Sequence, residues 1–185
     1  MINQDEREAG SVLKRGNRLV TLIVVGALAI SGAMLLRSYV SAGYQPTPEF
    51  EGTQLNGETW RLVDHRGKGP LIVTFAATWC MPCRIELPEL QRLYETYHER
   101  GLEIVVVGNE DQPTLRADPL FGATPVPVIH GGGKVHLDYQ VDALPRTLVF
   151  AADGTLAGVY DGVSARGLDE IERFVRAMIE GAPAP

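Results

Sequence analysis

The pattern of hydrophobic and polar positions divides the chain in two. From Leu19 to Leu36 it reads LVTLIVVGALAISGAMLL, 18 residues without a charge. As a helix this stretch spans about 27 Å, close to the hydrocarbon thickness of a bilayer. Lys14, Arg15 and Arg18 precede it and only Arg37 flanks its end. That asymmetry places residues 1–18 in the cytoplasm and everything from residue 38 onward outside it. Val40-Ser41-Ala42 offers the small residues of a signal-peptide cleavage site, but the apolar stretch is longer than a usual signal core. Residues 19–36 therefore read as a retained, single-pass transmembrane anchor in the cell membrane. Either reading delivers the rest of the chain to an oxidising, extracytoplasmic space on the periplasmic side. No cysteine lies near the stretch, which excludes lipid attachment through a thiol.

Residues 37–48 form a polar, proline-bearing linker, residues 49–181 a single domain, and residues 182–185 a frayed tail. Within the domain, Asn56-Gly57 separates two strand-like runs, Phe50 to Leu55 and Glu58 to Val63, as a hairpin turn does. Arg66 to Pro70 is a turn. Leu71 to Phe75 is continuously apolar, the signature of a strand buried on both faces. A helix is expected from Pro82, with Leu90, Leu93, Tyr94 and Tyr97 on its inward face, Pro88 inside it and Gly101 ending it. Ile104 to Val107 is a second buried strand, so strand, helix and strand make a right-handed parallel unit.

Asn109 to Pro127 holds four prolines, which argues against a long helix. Gly131-Gly132-Gly133 reads as a turn, because the strand–loop–helix pattern of a phosphate cradle is missing. Val135 to Val141 has the pattern of a short helix. Thr147 to Phe150 and Thr155 to Tyr160 are joined across Asp153-Gly154 as a hairpin. Leu168, Ile171, Phe174, Val175, Met178 and Ile179 mark an amphipathic final helix. No internal repeat is present.

Composition narrows the function. The chain is 45% hydrophobic and 22% charged, enough apolar surface for a real core. Its formal net charge is −6; removing the first 18 residues leaves 13 basic against 20 acidic side chains. An acidic domain argues against nucleic acid as a partner. Two cysteines are too few for a disulfide scaffold, and His65, His98, His130 and His136 lack zinc-site spacing to them. The sequence therefore calls for no metal and no cofactor.

Those two cysteines, Cys80 and Cys83, stand in Thr78-Trp79-Cys80-Met81-Pro82-Cys83, between the apolar strand and the helix. The arrangement puts Cys80 at a helix N-terminus, where amide N–H groups and the positive end of the dipole favour thiolate. Thiolate is the attacking species in disulfide exchange, and Cys83 is in reach to resolve a mixed disulfide. A purely structural bridge over so short a loop would restrain the unfolded chain little. Met81-Pro82 tunes the pair: Pro82 has no N–H to offer sulfur, which leaves the thiolate less stabilised and the pair more reducing. Trp79 is expected to pack beside the motif and shield it, or else to sit in the core. Glu86, if buried, has a raised pKa and can carry the resolving proton; if solvated, it merely suits the first turns of a helix.

These residues carry a resemblance. Ala77 to Arg84, Glu86-Leu87-Pro88, Leu102 to Val107 and Ala143-Leu144-Pro145-Arg146-Thr147 together resemble the membrane-anchored thioredoxin-like proteins of the TlpA/ResA type, over about residues 49 to 180. That family acts as extracytoplasmic thiol–disulfide oxidoreductases. The resemblance implies an α/β thioredoxin-like fold, a central mixed sheet flanked by helices, with an added N-terminal β-hairpin and one preceding transmembrane helix. It implies that Pro145 is cis and packs beside the cysteines. Leu144-Pro145 would then present a backbone edge to a substrate strand. Arg146 is either a surface residue or a source of positive potential near Cys80. Thioredoxin itself has a buried Asp six residues before the first Cys; this chain has Thr74 there, and Glu86 matches an acidic residue of many family members. The family often has a longer helix between its middle strands.

The leading reading is thus an enzyme that reduces disulfides in client proteins outside the cytoplasm. By resemblance the clients are apocytochrome c thiols, in cytochrome c maturation, or copper-site cysteines, and a transmembrane thiol carrier is the electron donor. The same pair in an oxidant or isomerase would want a more stabilised thiolate. A Cu(I) metallochaperone could use the two thiolates as soft ligands, with Met81 the only soft side chain nearby. A peroxidase would want a proline in the loop before Cys80, where Ala76-Ala77-Thr78 supplies none.

Overall fold

Leu71–Ala76 (β3) is buried at every position and takes the middle of a five-stranded sheet. In the computed structural model, residues 47–181 are described. The apolar segment 19–36, the residues before it and the tail 182–185 lie outside them. Among the described residues no helix is long and apolar enough to cross a membrane.

Glu103–Gly108 (β4) runs parallel to β3, pairing Leu71 with Glu103 and Ala76 with Gly108. Val128–Ile129 (β5) lies parallel on the outside of β4. On the other side Arg146–Phe150 (β6) runs antiparallel to β3, and Leu156–Asp161 (β7) antiparallel to β6. The sheet is therefore mixed, in the order β5-β4-β3-β6-β7. Side chains alternate across it. Ile72 and Ala76 face one layer, built from Cys83–Tyr97 (α2) and Ala165–Glu180 (α6) through Leu87, Leu90, Ile171 and Val175. Val73 and Phe75 face the other, with Phe50, Trp60, Val135 and Tyr139. Each such apolar side chain fully buried contributes about 1.5–3 kcal/mol, so two filled layers fix β3 between them.

A two-stranded antiparallel pair, Glu51–Thr53 (β1) and Thr59–Arg61 (β2), precedes the sheet, with Thr53 opposite Thr59. The strand pattern to Val63 is cut short. Leu62–His65 (α1) is one helical turn instead, with Arg66 N–H donating to the Leu62 carbonyl at 2.9 Å. Leu62 stays in the core and Val63 in solvent, as strand alternation would also place them.

Two short helices fill the proline-rich stretch. Gln112–Ala117 (α3) is capped by Asp111 and Pro119–Gly122 (α4) by Asp118, each carboxylate accepting a backbone N–H. Pro113 and Pro119 sit in the first turns, where a missing N–H costs nothing. The two-residue β5 that follows was not expected from the pattern. Gly133–Asp138 (α5) leads to β6. After α2 a 3₁₀ turn, His98–Arg100, ends at Gly101, whose φ of 100° is the left-handed conformation that glycine adopts freely.

Candidate active site

The C-terminal end of β3 hands the chain to a short loop, Ala77 to Met81, and then to α2. Cys80 N–H donates to the Ala77 carbonyl at 3.1 Å, which folds the loop back and turns the Cys80 side chain inward. Cys80 and Cys83 are joined as a disulfide, their Cα atoms 5.3 Å apart. The Cys80 sulfur accepts from the Cys83 N–H at 3.1 Å, so the first sulfur does sit against the amide groups that open the helix. Cys80 keeps 4% of its surface exposed and Cys83 none, which makes Cys80 the sulfur a partner can reach.

Trp79 is a correction. It is 69% exposed and so is not a core residue. The loop turns Ala77 and Cys80 inward, and the residue between Thr78 and Cys80 is left pointing out. Met81 and Ile85 are exposed as well, so the surface around the cysteines is apolar.

Glu86 is buried, at 2% exposure, one turn along α2 from Cys83. Residues three apart on a helix have Cβ atoms about 5–6 Å from each other. Its carboxyl meets two buried threonines: Thr74 Oγ1 is 2.9 Å from Oε2 and Thr147 Oγ1 is 2.8 Å from Oε1. Burial pushes the Glu86 carboxyl above its ordinary value of 4.5, against the pull of the hydroxyls of Thr147 and Thr74. Thr74 thus stands at the Asp position of thioredoxin and works with an acid supplied by the helix. A cavity of about 240 Å³ opens beside Glu86, walled by Val159, Tyr160, Leu168 and Ile171.

The Leu144–Pro145 bond is cis and lies just before β6, whose Arg146 is opposite Phe75 of β3. Pro145 is therefore at the Ala76 end of β3, where the cysteine loop starts. The backbone edge expected there is half occupied. The Pro145 carbonyl accepts from Gly162 N–H at 2.7 Å, which leaves pairing with a partner strand to Leu144. Arg146 is committed to Asp161, at 3.0 Å.

One residue of the motif, Arg84, and two outside it, Glu110 and Asp118, complete the site. Glu110 accepts from Thr78 N–H and Thr78 Oγ1, Arg84 donates to the Thr78 carbonyl, and Asp118 accepts from Arg84. Position in the topology is the clue that would have found Glu110. It follows the C-terminal end of β4, next to the same end of β3, where open α/β sheets place their functional loops. Among the described residues no three His, Cys, Asp or Glu side chains gather as a metal-holding group. The chemistry available is that of a two-thiol redox pair with a buried acid beside the inner sulfur.

Known proteins agree with that geometry. The AhpC/TSA family pattern matches residues 44–159. The thiol-disulfide oxidoreductase ResA of Geobacillus kaustophilus is 31% identical over 170 residues, covering 90% of this chain and 95% of that protein. That of Geobacillus thermodenitrificans is 32% identical over 177 residues, covering 90% and 99%. Among solved structures, a thiol:disulfide interchange protein of the thioredoxin family from Chlorobium tepidum superposes with a TM-score of 0.62 at 26% identity, over 73% of this chain and 96% of that one. A secreted disulfide oxidoreductase of Mycobacterium tuberculosis, homologous to E. coli DsbE, gives 0.60 at 22% identity over 69% and 95%, a likeness of fold. With its fold, its cysteine loop and these relatives in agreement, the chain belongs to the AhpC/TSA family as a thioredoxin-like thiol–disulfide oxidoreductase of the ResA type.

Proposed function

We propose that the domain works outside the cytoplasm, tethered by residues 19–36, and that it reduces disulfides in client proteins. The observation that carries the direction is that, among the described residues, the Cys80 sulfur has one backbone donor, the Cys83 N–H. Pro82 stands where another N–H would otherwise be available, so the thiolate gains little and the dithiol gives up its electrons readily. In the reaction, Cys80 thiolate attacks one sulfur of the client disulfide and releases the other as a thiolate, which takes up a proton. Cys83 then loses its proton to the ionised form of Glu86, which burial makes the stronger base, and attacks the Cys80 sulfur. The second client thiol leaves, and two electrons have passed from the Cys80–Cys83 pair to the client. A transmembrane thiol carrier restores the dithiol, since the domain lies beyond the reach of cytoplasmic reductants. Apocytochrome c, in cytochrome c maturation, and copper-site cysteines are the clients this reading favours.

The test is the midpoint potential of the pair, equilibrated against thiol buffers. A value near about −270 mV supports the reductase, whereas one near about −120 mV makes the protein a donor of disulfides.

A further inference from the structure

The Thr78 peptide, two residues before Cys80, is held on both sides. Its N–H and its hydroxyl both donate to Glu110 Oε1, each at 2.8 Å. Its carbonyl accepts from Arg84 Nη1 at 3.3 Å, and the same nitrogen donates to Asp118 Oδ2 at 2.8 Å. Asp118 is itself fixed, since its other oxygen caps α4 through Leu120 N–H. Three elements therefore converge on this one residue, Thr78: the loop after β4, the first turn of α2 and the cap of α4.

The choice of acid at 110 is informative. Glu110 Oε2 is buried with no hydrogen-bond partner among the described residues. A buried acceptor without a partner is destabilising. Glutamine would accept the same two hydrogen bonds through its carbonyl oxygen and would leave no charge there. What the carboxylate adds over the amide is negative charge near the nucleophile. The Cα atoms of Thr78 and Cys80 are at most about 7 Å apart, so a carboxylate bound to Thr78 lies in the neighbourhood of the nucleophile, where a charge acts on a thiol shielded from water. Arg84 brings positive charge to the carbonyl side of the same residue. His136 is the titratable group that faces Glu110 from α5, and burial holds its pKa below 6.5, so it does not cancel the carboxylate at neutral pH.

We propose that Glu110 and Arg84 are positioning residues for Cys80: they fix the Thr78 peptide, and with it the sulfur, and they balance the charge around it from opposite sides. This rests on Cys80 being the attacking thiol.

The experiment uses the full-length chain carrying Cys83→Ser, so that Cys80 is its only thiol, and titrates the ultraviolet absorbance of the thiolate. Glu110→Gln raises the thiolate fraction at neutral pH about threefold and Arg84→Gln lowers it about threefold. Shifts of the same sign in both variants, or no shift in either, overturn the proposal, because a purely structural role gives no opposed pair. A second reading follows attack on a small aromatic disulfide, corrected for thiolate fraction. Glu110→Ala, which loses both bonds to Thr78, slows it by about fivefold or more, and Glu110→Gln restores it to within about twofold. An alanine variant with the parental rate overturns the positioning role. If Glu110→Ala does not fold, the two glutamine variants decide. A parent protein that reduces no client disulfide would refute the proposed function and leave this proposal to be judged by the titration, which reads the sulfur itself.

Discussion

The Thr147 hydroxyl lies 2.8 Å from Glu86 Oε1 and has one hydrogen to give. It is also 2.8 Å from Thr74 Oγ1, which is 2.9 Å from Glu86 Oε2. Three contacts in a ring need three hydrogens. With Glu86 ionised the two threonines supply only two, and the contact between them is left without one. A protonated Glu86 supplies the third and closes the ring. Burial thus favours the neutral form against the pull of the two hydroxyls, and the hydrogen that form brings completes the ring they leave open.

Stability should record this. The folded Glu86 keeps a proton that the unfolded chain has already lost above 4.5. Its contribution is full below that value, falls as pH rises toward the folded pKa, and levels off beyond it. Urea unfolding of the oxidised protein across this range is expected to show the descending slope, and Glu86→Gln to remove it. An identical slope in the two proteins would mean that Glu86 is not held neutral.

The two thiols should separate cleanly. Cys80→Ser is expected to abolish reduction of client disulfides. Cys83→Ser is expected to accumulate the mixed disulfide, seen by mass spectrometry as a client adduct on Cys80. Glu86→Gln leaves the first step intact and slows the second by about 10²-fold, the usual contribution of a positioned proton carrier. Rapid-quench trapping of the adduct against pH measures this. An unchanged resolution rate would remove Glu86 from the mechanism.

Trp79 offers a contrast between stability and recognition. Being 69% exposed, it contributes little to the core, so Trp79→Ala should change the unfolding free energy by less than about 0.5 kcal/mol. Reduction of a protein client should weaken through KM, because the residue gives a partner apolar surface beside Cys80. Reduction of a small disulfide should be unaffected. A large drop in thermal stability would show that the side chain folds back onto the domain.

His136 should give the opposite pH trend to Glu86. It is buried against Phe75 and its Nε2 lies 3.0 Å from the Val107 carbonyl. Burial lowers its pKa from 6.5, partly offset by that carbonyl and by the charge of Glu110. Its contribution is complete above 6.5 and is lost as pH falls through the folded value, since the unfolded chain takes up the proton first. Thermal unfolding between pH 7.5 and about pH 5 tests the slope against that of His136→Leu, which should be flatter.

Much of this site can be read along the chain, and what cannot be read has a common cause. Leu71 to Phe75, the cysteine loop, the helix after it and the closing hairpin all declare themselves by local pattern: an apolar run, a motif, a helical period, an Asp-Gly turn. Glu86 shows as a candidate because it is one turn from Cys83. Thr147 does not, because only the antiparallel register of β6 on β3 brings it opposite Thr74. Glu110 is hidden for the same reason, lying 32 residues from the threonine it holds. Val128–Ile129 is too short and too crowded by proline to announce a strand, and it forms because β4 offers it partners. The size of Trp79 suggests burial, but the direction of its side chain is decided by the fold of the loop around it.

The hairpin before the sheet has a consequence of its own. Leu55 N–H donates to the Val128 carbonyl at 2.9 Å, and His130 N–H to the Thr53 carbonyl at 3.1 Å. Gly52 permits the approach, since a Cβ there would strike Ile129. The β5 end of the sheet is thereby stoppered with its own chain. Another molecule cannot lengthen the sheet from that side, and the cross-strand clumping that an open edge invites is forestalled there.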